Sequence, residues 1–195
     1  MSLQPKKTSV AAGVPVWQRQ PETASGGFAL AGYALLAAAT VAAGTPVAFD
    51  EATRTATVLK TAKLAANATN VATTYNVEKG HHFKVGDNFG AVIGGKAYPI
   101  TAIDTSNANY DVFTVGTTLG VALVAGDALF QSSATGASAA ALMVTPNGLV
   151  YEGITVEENA PLSAVIRGTV YERRIPAIPS AVKSGIPNII FSKSF

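Results

Sequence analysis

The alternation of apolar and polar positions is clearest over residues 149–176. Two runs rich in β-branched and aromatic residues, 149–156 and 162–176, flank Glu157-Glu158-Asn159-Ala160-Pro161, a break with turn chemistry. Together they predict a β-hairpin. From Leu162 the alternation sets Leu162, Ala164, Ile166 and Val170 on one face and Ser163, Arg167, Thr169, Tyr171 and Arg173 on the other. The first face is written for a core. The second carries two arginines and a tyrosine, residue types favoured where a protein meets a partner, and Arg167, Tyr171 and Arg173 are the candidate oligomer interface. An ordinary solvated strand face has the same composition.

Shorter runs of the same kind fill the middle of the chain. Residues 75–77, 89–93, 98–103, 110–115 and 128–130 read as strands, with Gly94-Gly95 as a hairpin turn between two of them. Small-polar seams at 65–70 and 131–138 bracket this set. The expected organisation is therefore an inserted β module, 67–134, carried by a split β core, 23–66 and 135–195, with an extended arm at 1–22. The fold class is mainly β: a small β-barrel or β-tulip-like core, split in sequence, with a second small β module inserted. Residues 45–59 read as a hairpin, 178–185 as one helical turn stopped by glycine, and 188–192 as a last strand. Residues 28–43 combine alanine propensity with poor helical patterning, so helix, loop and strand all stay open there. Three segments around Gly44, Gly86-Asp87 and Gly126-Asp127 share an apolar, Gly, polar, apolar rhythm, which predicts shared turn chemistry rather than a solenoid repeat.

Composition narrows the function. Only 13% of the 195 residues are charged, against about 25% in an average soluble domain, and 14 basic against 12 acidic residues leave a net charge of +2. That balance gives no electrostatic grip on nucleic acid. A surface this poor in charge is built from Ser, Thr, Ala, Asn and Gly, as on proteins packed against copies of themselves. There is no cysteine, hence no disulfide framework or thiolate metal site. The longest apolar stretch, 28–43, is shorter than the about 20 residues of a spanning helix and is interrupted by Gly32 and Thr40, so no membrane partner is expected. The N-terminus does not read as a signal peptide.

No catalytic constellation stands out: no phosphate-binding glycine loop, nucleophile elbow or metal-type His/Glu helix. His81 and His82 are adjacent, so on a strand they point to opposite faces; only from a loop, with Asp87, could they share an ion. The expectation is a non-enzyme with no cofactor, metal or catalytic residue. The arm holds the single tryptophan, Trp17, which needs a surface to sit on. Folding back on its own domain and docking on a neighbouring subunit by strand addition are both open.

Residues 43–60 and the pair of segments 147–156 and 165–172, with their Gly44-Thr45-Pro46-Val47, Asn147-Gly148-Leu149-Val150-Tyr151 and Ile166-Arg167-Gly168-Thr169-Val170-Tyr171 patterns, resemble the two halves of bacteriophage head fibre and capsid decoration proteins of the lambda type. The resemblance covers about 45 residues at the front and 50 at the back. It implies a homotrimer on the outer surface of the virion, assembled in the host cytoplasm, with the major capsid protein as partner. It also implies an arm that anchors to the shell through Val14, Pro15, Val16, Trp17 and Arg19, and an insertion that projects outward. The alternative is a carbohydrate- or cell-surface-binding module, in which Tyr98 and Tyr110 of the insertion stack on a host-surface glycan.

Overall fold

A computed structural model describes residues 14–19, 21–24 and 26–194, and the fold is mainly β. Along the chain, β1 (Glu22–Thr23), β2 (Phe28–Ala31), β3 (Thr40–Val41), β4 (Pro46–Asp50) and β5 (Thr55–Val58) come first. Next are β6 (Thr61–Lys63), β7 (Thr74–Glu78), β8 (Asn88–Gly90), β9 (Ala97–Asp104), β10 (Tyr110–Val115) and β11 (Ala128–Gln131). The chain returns through β12 (Gly148–Val150), β13 (Ile154–Thr155), β14 (Pro161–Leu162) and β15 (Ala164–Tyr171), then a short helix, α1 (Ser180–Gly185), and β16 (Ile189–Ser192).

β1, β2, β4, β5, β12, β14, β15 and β16 form one eight-stranded sheet drawn from both ends of the chain. Its order, β1-β15-β12-β4-β5-β2-β14, runs from one edge back to a strand that continues directly into β15. The chain kinks at Ser163, so Pro161 and Leu162 pair with β2 while Ala164 and Val165 pair with β12. The sheet thereby curls around Phe28, Leu30, Val41, Val47, Val150 and Ala164. Its other face buries Leu59, Leu149, Val165 and Val170 under Val182 of α1 and Ile186 and Ile189. The predicted hairpin is present as Leu149 opposite Val165 and Val150 opposite Ala164. Its break is longer than a turn, because Ile154 and Thr155 pair with Val41 and Thr40.

The face assignment for β15 changes along the strand. Leu162, Ala164 and Ile166 share one core as expected, but Val170, expected with them, packs on the opposite face with the fully buried Val165. The cause is an irregularity opposite β1, where Glu22 faces Arg167 and Thr23 faces Val165, so Ile166 is an extra residue. A bulge of this kind inverts the alternation beyond it. Gly168 falls on the Val165 side, where a Cβ would lie 2.8 Å from the Cβ of Pro21. Only glycine lets residue 21 cross there.

Residues 28–43, open in sequence terms, comprise β2, a left-handed Gly32 (φ 66°), a 3-10 turn over Tyr33–Leu35, and β3. Strand form wins at Phe28 and Leu30 because alternate side chains reach the core and β5 supplies parallel hydrogen-bond partners.

β6 to β11 form a second, six-stranded sheet in the order β6-β11-β8-β9-β10-β7. It begins at Thr61 rather than at 67, because Thr61, Ala62 and Lys63 pair with Phe130, Leu129 and Ala128. Its end strands meet where Leu64 bridges Val77 and the Ala65 N–H donates to the Asn76 carbonyl (2.8 Å), closing the sheet on itself. Tyr75, Phe83, Phe89 and Phe113 fill the interior, with ring centroids of Phe89 and Phe113 5.7 Å apart, edge to face.

This barrel has an internal twofold. The pairs Ala128–Lys63, Leu129–Ala62 and Phe130–Thr61 on one side match Asn88–Pro99, Phe89–Tyr98 and Gly90–Ala97 on the other. The two Gly-Asp turns correspond as well. Asp87 N–H donates to Lys84 O (3.1 Å) and Asp127 N–H to Val124 O (3.0 Å). Each aspartate accepts the N–H at the start of its own turn, Lys84 at 2.8 Å and Val124 at 2.9 Å. Gly86 (φ 94°) and Gly126 (φ 97°) supply the left-handed position that such a turn needs. The third echo, at Gly44 (φ 81°), is also a turn, closed by Thr45 N–H on Ala42 O (3.3 Å), but it leads into β4 of the eight-stranded sheet.

Candidate functional site

The candidate residues fall into three places. In the arm, Trp17 lies on the chain's own sheet. It bridges Val170, and its indole N–H donates to the Tyr151 carbonyl at 2.8 Å. Gln18 N–H donates to Thr169 O (3.0 Å), and Tyr171 N–H donates to Val16 O (2.9 Å). The Arg174 guanidinium holds the Pro15 carbonyl at 2.7 Å. Val16 and Trp17 are thus half-buried parts of an edge strand, while Val14, Pro15 and Arg19 stay exposed.

The second place is the β15 face. Arg167 projects to solvent with Glu22 3.7 Å away. Tyr171 is half-buried, and Arg174 stacks 4.4 Å from its ring centroid. Arg173 does not share that face. β15 ends at Tyr171, and the 3-10 turn Glu172–Arg174 turns Arg173 toward the inserted barrel.

The third is the junction between barrel and sheet, which the sequence reading did not single out beyond its histidines. Lys60, only 3% exposed, ends the run from β5 and sends its ammonium to Asp87 Oδ2 at 2.6 Å. Gln131 Nε2 donates to the other oxygen of Asp87 at 3.4 Å. Ala37 N–H reaches His82 O (3.3 Å), and Lys84 Nζ reaches Ala34 O (2.6 Å). A lysine set between Leu59 and Thr61, inside an apolar run, was the available signal. A lysine buried this deeply has a partner as a rule.

His81 and His82 do lie in a loop, yet they do not converge. His81 Nδ1 accepts the Phe83 N–H (3.2 Å), which leaves Nε2 as the protonated nitrogen donating to Asp111 Oδ2 at 3.1 Å. Asp111 also takes Lys79 at 2.6 Å. Burial lowers the His81 pKa, with Asp111 pulling the other way. His82 is pushed down to about 4, first by burial, then by Lys60 and His81, and its Nδ1 has no hydrogen-bond partner. Among the described residues no three His, Asp or Glu side chains are grouped to hold a metal ion.

Tyr98 and Tyr110 are half-buried, Tyr98 against the barrel core. A cleft of about 1110 Å³ lies between the barrel and the eight-stranded sheet, walled by 91–93 and 121–123 on one side and 175–181 on the other. No helix among the described residues is long and apolar enough to cross a membrane. Compared with protein-family models, curated proteins and solved structures, the chain matches none.

Proposed function

We propose that this chain is a structural virion component of the bacteriophage decoration or head-fibre kind: a homotrimer on the outer capsid surface that contacts the major capsid protein and holds its inserted barrel outward. The observation that carries this reading is the architecture. A self-closed barrel is threaded between β5 and β12 of a sheet whose own edge is made by the N-terminal segment. Such a build places two chain-end elements at one edge and the second module elsewhere, as a mounted display unit requires. Exposed backbone on the arm strand is a surface that a closed oligomer would cover. The residues left exposed there, Val14, Pro15 and Arg19, are the proposed shell contacts, and Arg167 and Tyr171 are proposed for the subunit interface.

The test is the solution mass by light scattering of the full chain and of a chain starting at Val14. Both should be trimers. A monomer for the full chain at concentrations well above micromolar would remove the assembly reading. Starting the chain at Thr23 is a poorer test, because it deletes Trp17 and an edge strand from the fold itself.

A further inference from the structure

We propose that the cleft between the barrel and the eight-stranded sheet is a binding site for an extended peptide segment that is apolar and carries carboxylates. Three independent features point to that chemistry. The first is the wall formed by 175–179. Ile175 is in extended conformation (φ −118°, ψ 161°), as is Pro179 (φ −57°, ψ 145°), and no strand pairs with the stretch between them. Among the described residues the N–H groups of Ala177 and Ile178 make no backbone hydrogen bond. The stretch is nonetheless fixed at both ends. Ile175 sits where a Cβ on Gly44 would be, 2.2 Å from its Cγ2, and Ile178 is buried in the core. Pro176 and Pro179 have no N–H, and successive amides of an extended chain point to opposite sides, so this wall offers an incoming peptide one amide rather than a ladder; its stiffness spares the ordering cost of binding.

The second feature is the opposite wall. Val92 and Ile93, on the turn joining β8 to β9, are 51% and 44% exposed and face the cleft beside Phe130. Two adjacent exposed branched aliphatics in a concave site suit the alternate side chains of an extended peptide.

The third feature is charge. Lys63, Arg173, Lys183 and Lys193 border the cleft against Asp127 and Glu172, a local excess of basic side chains. Lys63 is paired with Glu78 and Lys183 with Glu172. Arg173 and Lys193 have no carboxylate within ion-pair distance among the described residues. Asp127 holds the Val124 N–H of its own turn. The unmet charge is therefore cationic, which favours an acidic partner. The chain's own first thirteen residues carry Lys6 and Lys7 and no carboxylate, so they do not match the site. A cleft at a domain junction, with apolar walls and a few placed charges, is a common setting for ligand recognition.

The proposal does not rest on the assembly reading: a monomer that binds the peptide would leave this site standing and remove the trimer. The probe is a fluorescein-labelled hexapeptide, Val-Asp-Val-Glu-Val-Thr, with Val-Lys-Val-Lys-Val-Thr as its charge-reversed counterpart. Anisotropy titrations with the full chain should show the acidic peptide binding about tenfold or more tightly than the basic one. Arg173→Glu and Val92→Asp, both at exposed positions that leave the cores intact, should each weaken it about tenfold. The amide chemical shift of whichever of Ala177 and Ile178 faces the cleft should move on binding. No binding at millimolar peptide, equal binding of both peptides, insensitivity to both substitutions, or shifts confined to the Lys60–His82 junction would each overturn the proposal.

Discussion

The barrel and the sheet that carries it are built from similar short strands, but they close in different ways. Every strand of the barrel comes from Thr61 to Gln131, so its most distant ladder, Thr61 to Phe130, stays within that segment. The eight-stranded sheet must bring Val47 to Gly148 and Trp17 to Val170. Long-range pairs of that sort are slow to form, because the intervening chain must first be closed into a loop. The barrel removes much of that cost. Once folded, it holds Lys60 and Gln131 together, with the Gln131 N–H on the Lys60 carbonyl at 2.9 Å, and the two halves of the sheet emerge side by side. The barrel is therefore expected to organise its host.

The largest test of this dependence is a pair of core truncations. Phe113→Ala empties the barrel centre and should cost about 3–5 kcal/mol, and Leu149→Ala in the sheet about 2–5 kcal/mol. Hydrogen exchange should separate them. The barrel substitution should expose amides of both units, whereas the sheet substitution should leave barrel amides protected. Equal exposure of both units by Leu149→Ala would end the comparison.

The junction should be the acid-sensitive part. Above pH 6.5 His82 is neutral in folded and unfolded chains alike, and its contribution is intact. As pH falls from 6.5 toward its folded value of about 4, the unfolded chain binds a proton that the folded chain refuses. Stability should drop by about 3 kcal/mol across that window, and His81, also lowered, adds to the loss. Urea unfolding at pH 7 and pH 4.5 should show this in the native chain and less of it in His82→Leu. The smallest effect is expected at the arm. Trp17→Ala should cost about 2 kcal/mol in the sheet through lost packing and the lost bond to Tyr151, and Trp17→Phe about 1 kcal/mol. Neither should alter exchange in the barrel.

Much of this was legible in residue patterns. β-Branched alternation marked the strands of the barrel, and Gly86-Asp87 and Gly126-Asp127 announced turns whose geometry agrees bond for bond. Gly94-Gly95 lies in the connection between β8 and β9, as its turn chemistry requires. What could not be read was anything set by tertiary register. Parity counting along β15 failed beyond Ile166, at Val170, because a bulge depends on the partner strand and not on the local sequence. The cleft was hidden for a similar reason. Val92, Ile93 and Arg173 are ordinary turn and strand-end residues until the two units are set against each other. Trp17 announced its need for a surface, but only the fold supplied Tyr151 and Val170 as that surface.

The barrel's twofold makes its two ends of attachment equivalent. The place where Lys60 enters and Gln131 leaves is related by that axis to the short connection between Gly90 and Ala97. The first opening leads into the host sheet and the second is closed by a short turn. A circular permutant that begins within that turn and joins 131 to 60 should keep the barrel intact.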